Sequence, residues 1–380
     1  MYTHVTEAIG VRVGETRAQG RVTMRDIATK LGVSINTVHK AITGKPGLSN
    51  QMREKIVETA NQMGYRRNEG AANLSRKDIL VAVCLPSSQR EGSYFYAYLW
   101  EGCRRYVAES RDTGLVFEVD DFESGEYAGV LASIESRIDG GEDIGGLLAF
   151  APTSGEERGA LARIADKGVA VLLLDGDCDE VPRVGAVITD YHASGCLMAE
   201  QAANLIASVE APRVLLLSGD EGTDSHRLVA QAFESELAPL APAAQVERIP
   251  GAHGNVERLS SELSRALEVR AASLVCSVSA VGTEVASRVL GELRPTGVRA
   301  IGSDLFPGSV KALEQGVLTN LVYKDPVGMA YRAARTLGDF LLWGKRPEQD
   351  VQMGPVELVF RSNLAQYCRI AGVKASESHE

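Results

Sequence analysis

Between positions 23 and 64 the apolar residues recur every three or four places in three short blocks, the spacing of one buried helical face. In the first block Ile27, Ala28 and Leu31 follow Thr23. Asp26, three residues after Thr23, lets the two side chains close a helix N-terminus reciprocally, and Gly32 ends the helix. In the second block Ser34 is placed to cap, Val38, Ala41 and Ile42 face inward, and Gly44-Lys45-Pro46-Gly47 stops the pattern. Ser49 opens the third, in which Ile56, Val57, Ala60 and Met63 are expected to be buried before Gly64. From Asp78 the texture changes. Apolar runs at 79–85, 115–119, 146–150, 169–174, 214–217, 273–276 and 298–301 read as buried strands, each followed by a helical pattern. Repeated strand-helix units predict parallel sheets covered by helices on both faces. Roughly 300 residues exceed what one sheet needs, so two Rossmann-like lobes around a cleft are expected, with ligand contacts at the C-terminal ends of strands.

Charge sharpens this division. The chain of 380 residues has a formal net charge of −10, which alone would discourage binding to nucleic acid. Residues 21–77, however, hold eleven basic against four acidic side chains, a net +7, and residues 78–380 carry −17. A basic head can approach phosphates while an acidic body is repelled by them. The tight Gly32-Val33-Ser34 connection between two short helices matches a helix-turn-helix, whose second helix enters the major groove. With Val38, Ala41 and Ile42 inward, Ile35, Asn36 and Lys40 face outward: Ile35 suits a thymine methyl, Asn36 an adenine edge, and Lys40 guanine O6/N7. Thr23, Ser34, Thr37 and His39 are placed to hold phosphates, which fixes register without reading sequence. A small helical bundle with polar outer faces is the alternative from this pattern alone.

The segment Val22-Thr23-Met24-Arg25-Asp26-Ile27-Ala28, Leu31-Gly32-Val33-Ser34-Ile35-Asn36-Thr37-Val38, Gly44-Lys45-Pro46-Gly47-Leu48-Ser49, Arg53, Gly64-Tyr65 and Asn68 resembles the head of the lactose/galactose repressor family. That resemblance implies a hinge helix over 68–75 that pairs with its twin in the minor groove, through Asn68 and Ala71, with Leu74 wedged between base steps. A plain linker is the alternative. The chain departs from the family at His39-Lys40, where Ser-Arg is usual, and at Arg67, where proline is usual. Lysine is a point donor without arginine's rigid fork, so the preferred operator sequence shifts with it.

The resemblance continues through Val187-Ile188-Thr189-Asp190 with Gly195, Ile301-Gly302-Ser303-Asp304, Leu318-Thr319-Asn320 with Lys324-Asp325-Pro326, and Pro355-Val356-Glu357-Leu358-Val359 with Asn363-Leu364. These segments look like the sugar-binding core shared by such repressors and periplasmic receptors. The effector is then expected to be a carbohydrate or a similar small polar molecule. Sugar recognition needs aromatic faces and groups that bracket hydroxyls. In the aromatic cluster Tyr94, Phe95, Tyr96 and Tyr98, one or two rings are candidates for stacking, Tyr94 and Phe95 first, and core or dimer packing is the alternative. Asp175 and Asp304 each end a strand; Ser279 and Lys324 complete the candidate contacts, and Asp190 reads as a helix cap. Aligning Ala232-Phe233 on the family's Gly-aromatic pair leaves Val229 where a sugar-binding arginine usually sits, with Arg227 as a possible substitute from a neighbouring angle.

Six scattered cysteines show no C-x-x-C or Cys/His spacing, which predicts reduced thiols and neither zinc nor a disulfide framework. No G-x-G-x-x-G after the first strand, G-x-x-x-x-G-K-S/T, H-E-x-x-H or G-x-S-x-G occurs, so neither catalysis nor a cofactor is expected. No run approaches the roughly 20 apolar residues of a membrane span, and residues 1–20 lack a signal-like apolar stretch. The expected molecule is a cytoplasmic homodimer that binds a palindromic duplex operator under effector control. Its order is a flexible extension (1–20), an all-α helix-turn-helix DNA-binding head (21–66), a hinge (67–77), a two-lobed α/β periplasmic-binding-protein-like body (78–365) and a tail (366–380). An effector-independent architectural DNA binder would leave the cleft idle, and a sugar receptor would leave the basic head unexplained.

Overall fold

The computed structural model describes residues 22–42, 47–63, 78–88, 94–251 and 255–373, except the side chains of His39 and Asn50. The expected extension (1–20) and the hinge with Asn68, Ala71 and Leu74 lie outside the described residues. The chain divides into two units, 1–75 and 76–380.

In the first unit, α1 (Met24–Leu31), α2 (Ile35–Ile42) and α3 (Asn50–Gln62) enclose Ile27, Ala28, Val38, Ala41, Ile56 and Ala60. Each larger side chain in that cluster contributes roughly 1.5–3 kcal/mol by leaving water. The caps are as expected. Thr23 and Asp26 exchange hydrogen bonds at the start of α1, and Gly32 closes it at φ 65°, a left-handed conformation that glycine takes without a Cβ penalty. Ser49 Oγ accepts the N–H of Met52 at the start of α3. Val57 is corrected: it is 40% exposed, because it lies about 100° around the helix from Ile56 and the inward face is Ile56, Thr59 and Ala60.

The second unit contains two six-stranded sheets. The first lobe runs β1 (Ile79–Cys84), α4 (Tyr94–Glu109), β2 (Leu115–Val119), α5 (Tyr127–Asp139), β3 (Ile144–Phe150), α6 (Gly155–Asp166), β4 (Ala170–Leu174) and β5 (Gly185–Thr189). The chain then crosses to the second lobe: α7 (Tyr191–Ile206), β6 (Arg213–Gly219), α8 (Asp224–Leu240), β7 (Gln245–Pro250), α9 (Val256–Val269), β8 (Leu274–Ser277), α10 (Ala280–Leu293), β9 (Arg299–Ser303), α11 (Pro307–Glu314) and β10 (Asn320–Tyr323). It returns to the first lobe with α12 (Pro326–Trp343) and β11 (Val351–Gly354), and finishes in the second with β12 (Glu357–Val359) and α13 (Leu364–Ala371). The strand orders are β11-β5-β4-β3-β1-β2 and β12-β10-β9-β8-β6-β7, parallel except where β12 pairs antiparallel to β10.

In each sheet the central strands are buried on both faces, which is why they read as apolar runs rather than alternations. In β6, Val214 and Leu216 pack with α7 and α8, while Leu215 and Leu217 pack with α9, α10 and α11. The expected tail is corrected as well. Leu364, Cys368, Ala371 and Val373 enter the second lobe's core, so α13 belongs to that lobe. Cys84, Cys103, Cys276 and Cys368 are buried, Cys178 and Cys196 are half-buried, and all six are free thiols.

Three crossings, at 189–191, 323–326 and 354–357, join the lobes. They run side by side: a Cβ on Gly354 would stand 3.5 Å from the Ile188 carbonyl oxygen and 4.0 Å from that of Lys324. Around them α4 bridges the gap. Tyr94 stacks on Phe306 at 4.3 Å between ring centroids, and Arg105 donates to the Ile370 carbonyl at 2.9 Å.

Candidate functional site

In the head, α2 carries the side chains expected to read bases. Ile35 is 45% exposed and Asn36 is exposed, while Lys40 is half-buried. Ser34 Oγ accepts the Thr37 N–H at 3.0 Å and the two hydroxyls lie 2.8 Å apart. One proton of that pair is consumed internally, and the other remains to donate outward. Thr23 is committed to α1: its hydroxyl donates to Asp26 Oδ2 at 2.7 Å, so a phosphate there would have to displace a carboxylate. His39 lies within α2. Arg53, on α3, donates to the carbonyls of Lys40 and Ala41 at 3.0 and 3.2 Å and so fixes the C-terminal end of α2.

In the second unit a cavity of about 230 Å³ opens between the lobes. Its walls come from the C-terminal ends of strands in both sheets and from the loops and helix starts that follow them, the edge at which open α/β sheets bind ligands. The first lobe supplies Phe95, Tyr96 and Asp175; the second supplies Tyr191, Asp220, Thr223, Ser225, His226, Val229, Val278, Ser279, Ala280, Val281 and Asp304, with Lys324 from a crossing.

Asp175 and Asp304 occupy equivalent places, after the fourth strand of each sheet. Asp175 has φ 66° and donates its N–H to the Val187 carbonyl; Asp304 has φ 68° and donates to that of Val322. Aspartate tolerates this left-handed backbone better than most residues, and the turn aims both carboxyls at the cleft. Asp175 accepts the Tyr191 hydroxyl of the opposite lobe. Burial pushes its pKa up to about 7 against the help of Tyr191 and Lys324. Asp304 is ion-paired with Lys324, Nζ to Oδ1 3.1 Å, and burial raises its carboxyl above the ordinary range against that pull. Lys324 Nζ also lies 6.0 Å from the centroid of the Phe95 ring.

His226 Nδ1 accepts the Asp220 N–H at 3.1 Å, which leaves Nε2 as the protonated nitrogen of a neutral ring. Burial, then the charge of Lys324, lowers its pKa to about 4. Gly219, at φ 68°, makes room for it, since a Cβ there would stand 2.6 Å from Nδ1. Ser279 caps α10 by accepting the Gly282 N–H at 3.2 Å.

Of the residues expected at the ligand, the cavity gathers Phe95, Asp175, Ser279, Asp304 and Lys324. Tyr94 is placed elsewhere, stacked on Phe306. Arg227 is also elsewhere: it lies on the exposed face of α8, paired with Asp224 at 2.6 Å, whereas Val229 lines the wall. Tyr191, Asp220 and His226 escaped sequence reasoning. Tyr191 was legible only as the start of a helix, and Asp220 and His226 meet because α8 starts beside the end of β6. Asp190, expected as a cap, accepts the Ala193 N–H at 2.8 Å.

Among the described residues no cluster of His, Cys, Asp and Glu could hold a metal, and no helix is long and apolar enough to cross a membrane.

Residues 82–346 match the family described as periplasmic binding protein domain, and residues 23–68 match the bacterial regulatory proteins of the lacI family. The chain is 23% identical over 351 residues to HTH-type transcriptional regulator DegA of Bacillus subtilis, covering 91% of this chain and 98% of that one. Over 82 residues, 21% of this chain and 24% of the relative, it is 37% identical to catabolite control protein A of Priestia megaterium. Among solved structures, an ABC transporter solute binding protein from Burkholderia graminis, in complex with D-arabinose, is similar with a TM-score of 0.67 at 19% identity. That likeness covers 77% of this chain and 98% of that one. With a matching head, a matching body and an end-to-end regulatory relative, the chain belongs to the lactose/galactose repressor family of bacterial transcription regulators.

Proposed function

We propose that this regulator binds a palindromic operator as a homodimer and that a small carbohydrate or related polyhydroxy effector, held between the lobes, sets its operator affinity. In this reading Ile35, Asn36 and Lys40 read bases, Ser34, Thr37 and His39 hold phosphates with Thr23 at the edge, and Asn68, Ala71 and Leu74 enter the minor groove. The protein then works where its operator is, in the cytoplasm, and its cavity binds without catalysing.

The observation that carries the effector half is the make-up of the cavity: both lobes contribute walls, and aromatic faces (Phe95, Tyr96) stand beside strand-end carboxylates (Asp175, Asp304). Rings cover the C–H surface of a sugar and carboxylates accept from its hydroxyls. The fold shared with an arabinose-bound protein supports the same class. A ligand that touches both lobes favours one lobe arrangement, and it shifts operator affinity by its differential binding to the arrangements and by no more.

The test is a thermal-shift screen of sugars and polyols on the full chain, followed by operator titration with each stabilising compound. A compound that binds only the folded protein raises stability by RT ln(1 + [L]/Kd). The expected result is a compound that both stabilises the protein and changes operator affinity. Stabilisation without any change in operator affinity would leave the cleft uncoupled, and no stabilisation at all would favour the architectural reading.

A further inference from the structure

Resting on the cleft as the effector site, the geometry points to an effector without an acidic group: a free sugar, polyol or amino sugar, with phosphorylated and carboxylated sugars refused. The charges lining the cavity carry this. Three carboxyl side chains, Asp175, Asp220 and Asp304, face one cation, Lys324. That cation is already committed, since its Nζ lies 3.1 Å from Asp304 Oδ1 and both side chains are more than nine-tenths buried. A phosphate or carboxylate that paired with Lys324 would have to share it with Asp304, which places a second anion beside a buried carboxylate that this one cation compensates.

Among the described residues, nothing else on the wall supplies positive charge at neutral pH. His226 uses Nδ1 to accept a backbone N–H and offers the cavity a neutral N–H donor. Arg227, its neighbour in sequence, lies on the exposed face of α8 with Asp224. Helix N-termini elsewhere receive anions; here the start of α8, whose Thr223 makes no side-chain cap, carries Asp224 in its first turn, and three others that begin at this level are closed by their own side chains. Ser279 takes the Gly282 N–H, Asp190 that of Ala193 and Asp325 that of Gly328. The remaining groups suit hydroxyls or an ammonium: acidic oxygens as acceptors, Tyr191 and the imidazole as neutral partners, and the Phe95 and Tyr96 rings as faces for C–H or cationic groups.

The experiment uses the full-length chain and charge-matched sets: hexoses and pentoses, their amino derivatives, their phosphates and their uronic or aldonic acids. Each is scored by thermal shift and isothermal titration at constant ionic strength, with inorganic phosphate as a further probe. Stabilisation confined to uncharged and amino compounds is the expected result. The Asp304→Asn variant, which keeps a side chain that tolerates φ 68°, frees Lys324 and should bind inorganic phosphate roughly tenfold more tightly than the unaltered chain. Stabilisation of the unaltered chain by a phosphorylated or carboxylated sugar, abolished in Lys324→Met, would overturn the inference while upholding the cleft as the effector site. If no compound of any charge stabilises the protein and Asp304→Asn gains no phosphate binding, the effector-site reading fails and the charge selection falls with it.

Discussion

At the scale of residues, two buried titratable groups in one cavity have opposite pH behaviour. Asp175 is pushed from 3.8 to about 7, so the folded state keeps a proton that the unfolded state gives up. Its contribution to stability is full below pH 3.8 and is lost as pH rises to about 7. His226 is lowered from 6.5 to about 4, so its contribution is full above pH 6.5 and is lost as pH falls to about 4. Between pH 4 and 6.5 the two slopes oppose each other, each approaching about 1.4 kcal/mol per pH unit where one whole proton separates the states. Removing either partner should expose the other. In Asp175→Asn, which still accepts from Tyr191, stability relative to the unaltered chain should climb from pH 4 to 7, by a few kcal/mol in total on the order of the linkage integral. In His226→Asn relative stability should climb as pH falls through 6.5. Urea denaturation at half-unit pH steps reads both, and parallel profiles for a variant and the parent would show that the substituted group titrates alike in both states. Only half of this pairing was legible in the sequence. Asp175 is marked by its place at the end of an apolar run, whereas His226 has meaning only beside Gly219 and Asp220. Arg227 attracted attention as a cation near an expected contact, yet on a helix one residue turns a side chain by about 100°, enough to move it from wall to solvent.

At the scale of elements, legibility followed burial and local chemistry. Thr23, Gly32, Ser34 and Ser49 announce the head because caps are made within three or four residues. Strands β1, β3, β4, β6 and β8 announce themselves because helices cover both faces. Strand β7 did not: Gln245, Glu247, Arg248 and Pro250 are exposed at the sheet edge, so its apolar signal is diluted. Short β11 and β12 depend on pairing with strands more than thirty residues away, which no local pattern encodes. The closest helix contacts were equally hidden. A Cβ on Gly102 would stand 2.2 Å from the Val327 carbonyl oxygen, and one on Gly195 2.5 Å from that of Val229, because α4 meets α12 and α7 meets α8 backbone to side. Alanine at either place must push the helices apart. Each substitution should cost about 1–3 kcal/mol, in the first lobe for Gly102→Ala and in the second for Gly195→Ala. Hydrogen exchange followed by mass spectrometry should place the faster exchange in the corresponding lobe. Equal stability in both variants would mean that these helix pairs have slack that the packing does not suggest.

At the scale of the molecule, the three crossings make the cavity and the lobe arrangement a single equilibrium. A ligand that contacts Phe95 and Asp175 on one side and His226 and Asp304 on the other holds the lobes at one separation. If the lobe arrangement also biases operator binding, thermodynamic linkage fixes the consequence without knowledge of the path between the sites. The factor by which effector changes operator affinity must equal the factor by which operator changes effector affinity, and couplings of this kind commonly span about 5- to 150-fold. The operator side of that cycle carries a strong salt term, because a head with net +7 over residues 21–77 displaces condensed counterions. Log K should fall against log salt by about 0.9 for each phosphate neutralised. The two terms are separable. Effector should displace the salt plot vertically if the same phosphates are contacted in both arrangements, and should also flatten it if effector lifts part of the head from the duplex. Fluorescence anisotropy of a labelled operator across salt concentrations, with and without effector, paired with calorimetric titration of effector into free and operator-bound protein, closes the cycle. Unequal factors in the two directions would mean that effector and operator do not act on one equilibrium between two lobe arrangements.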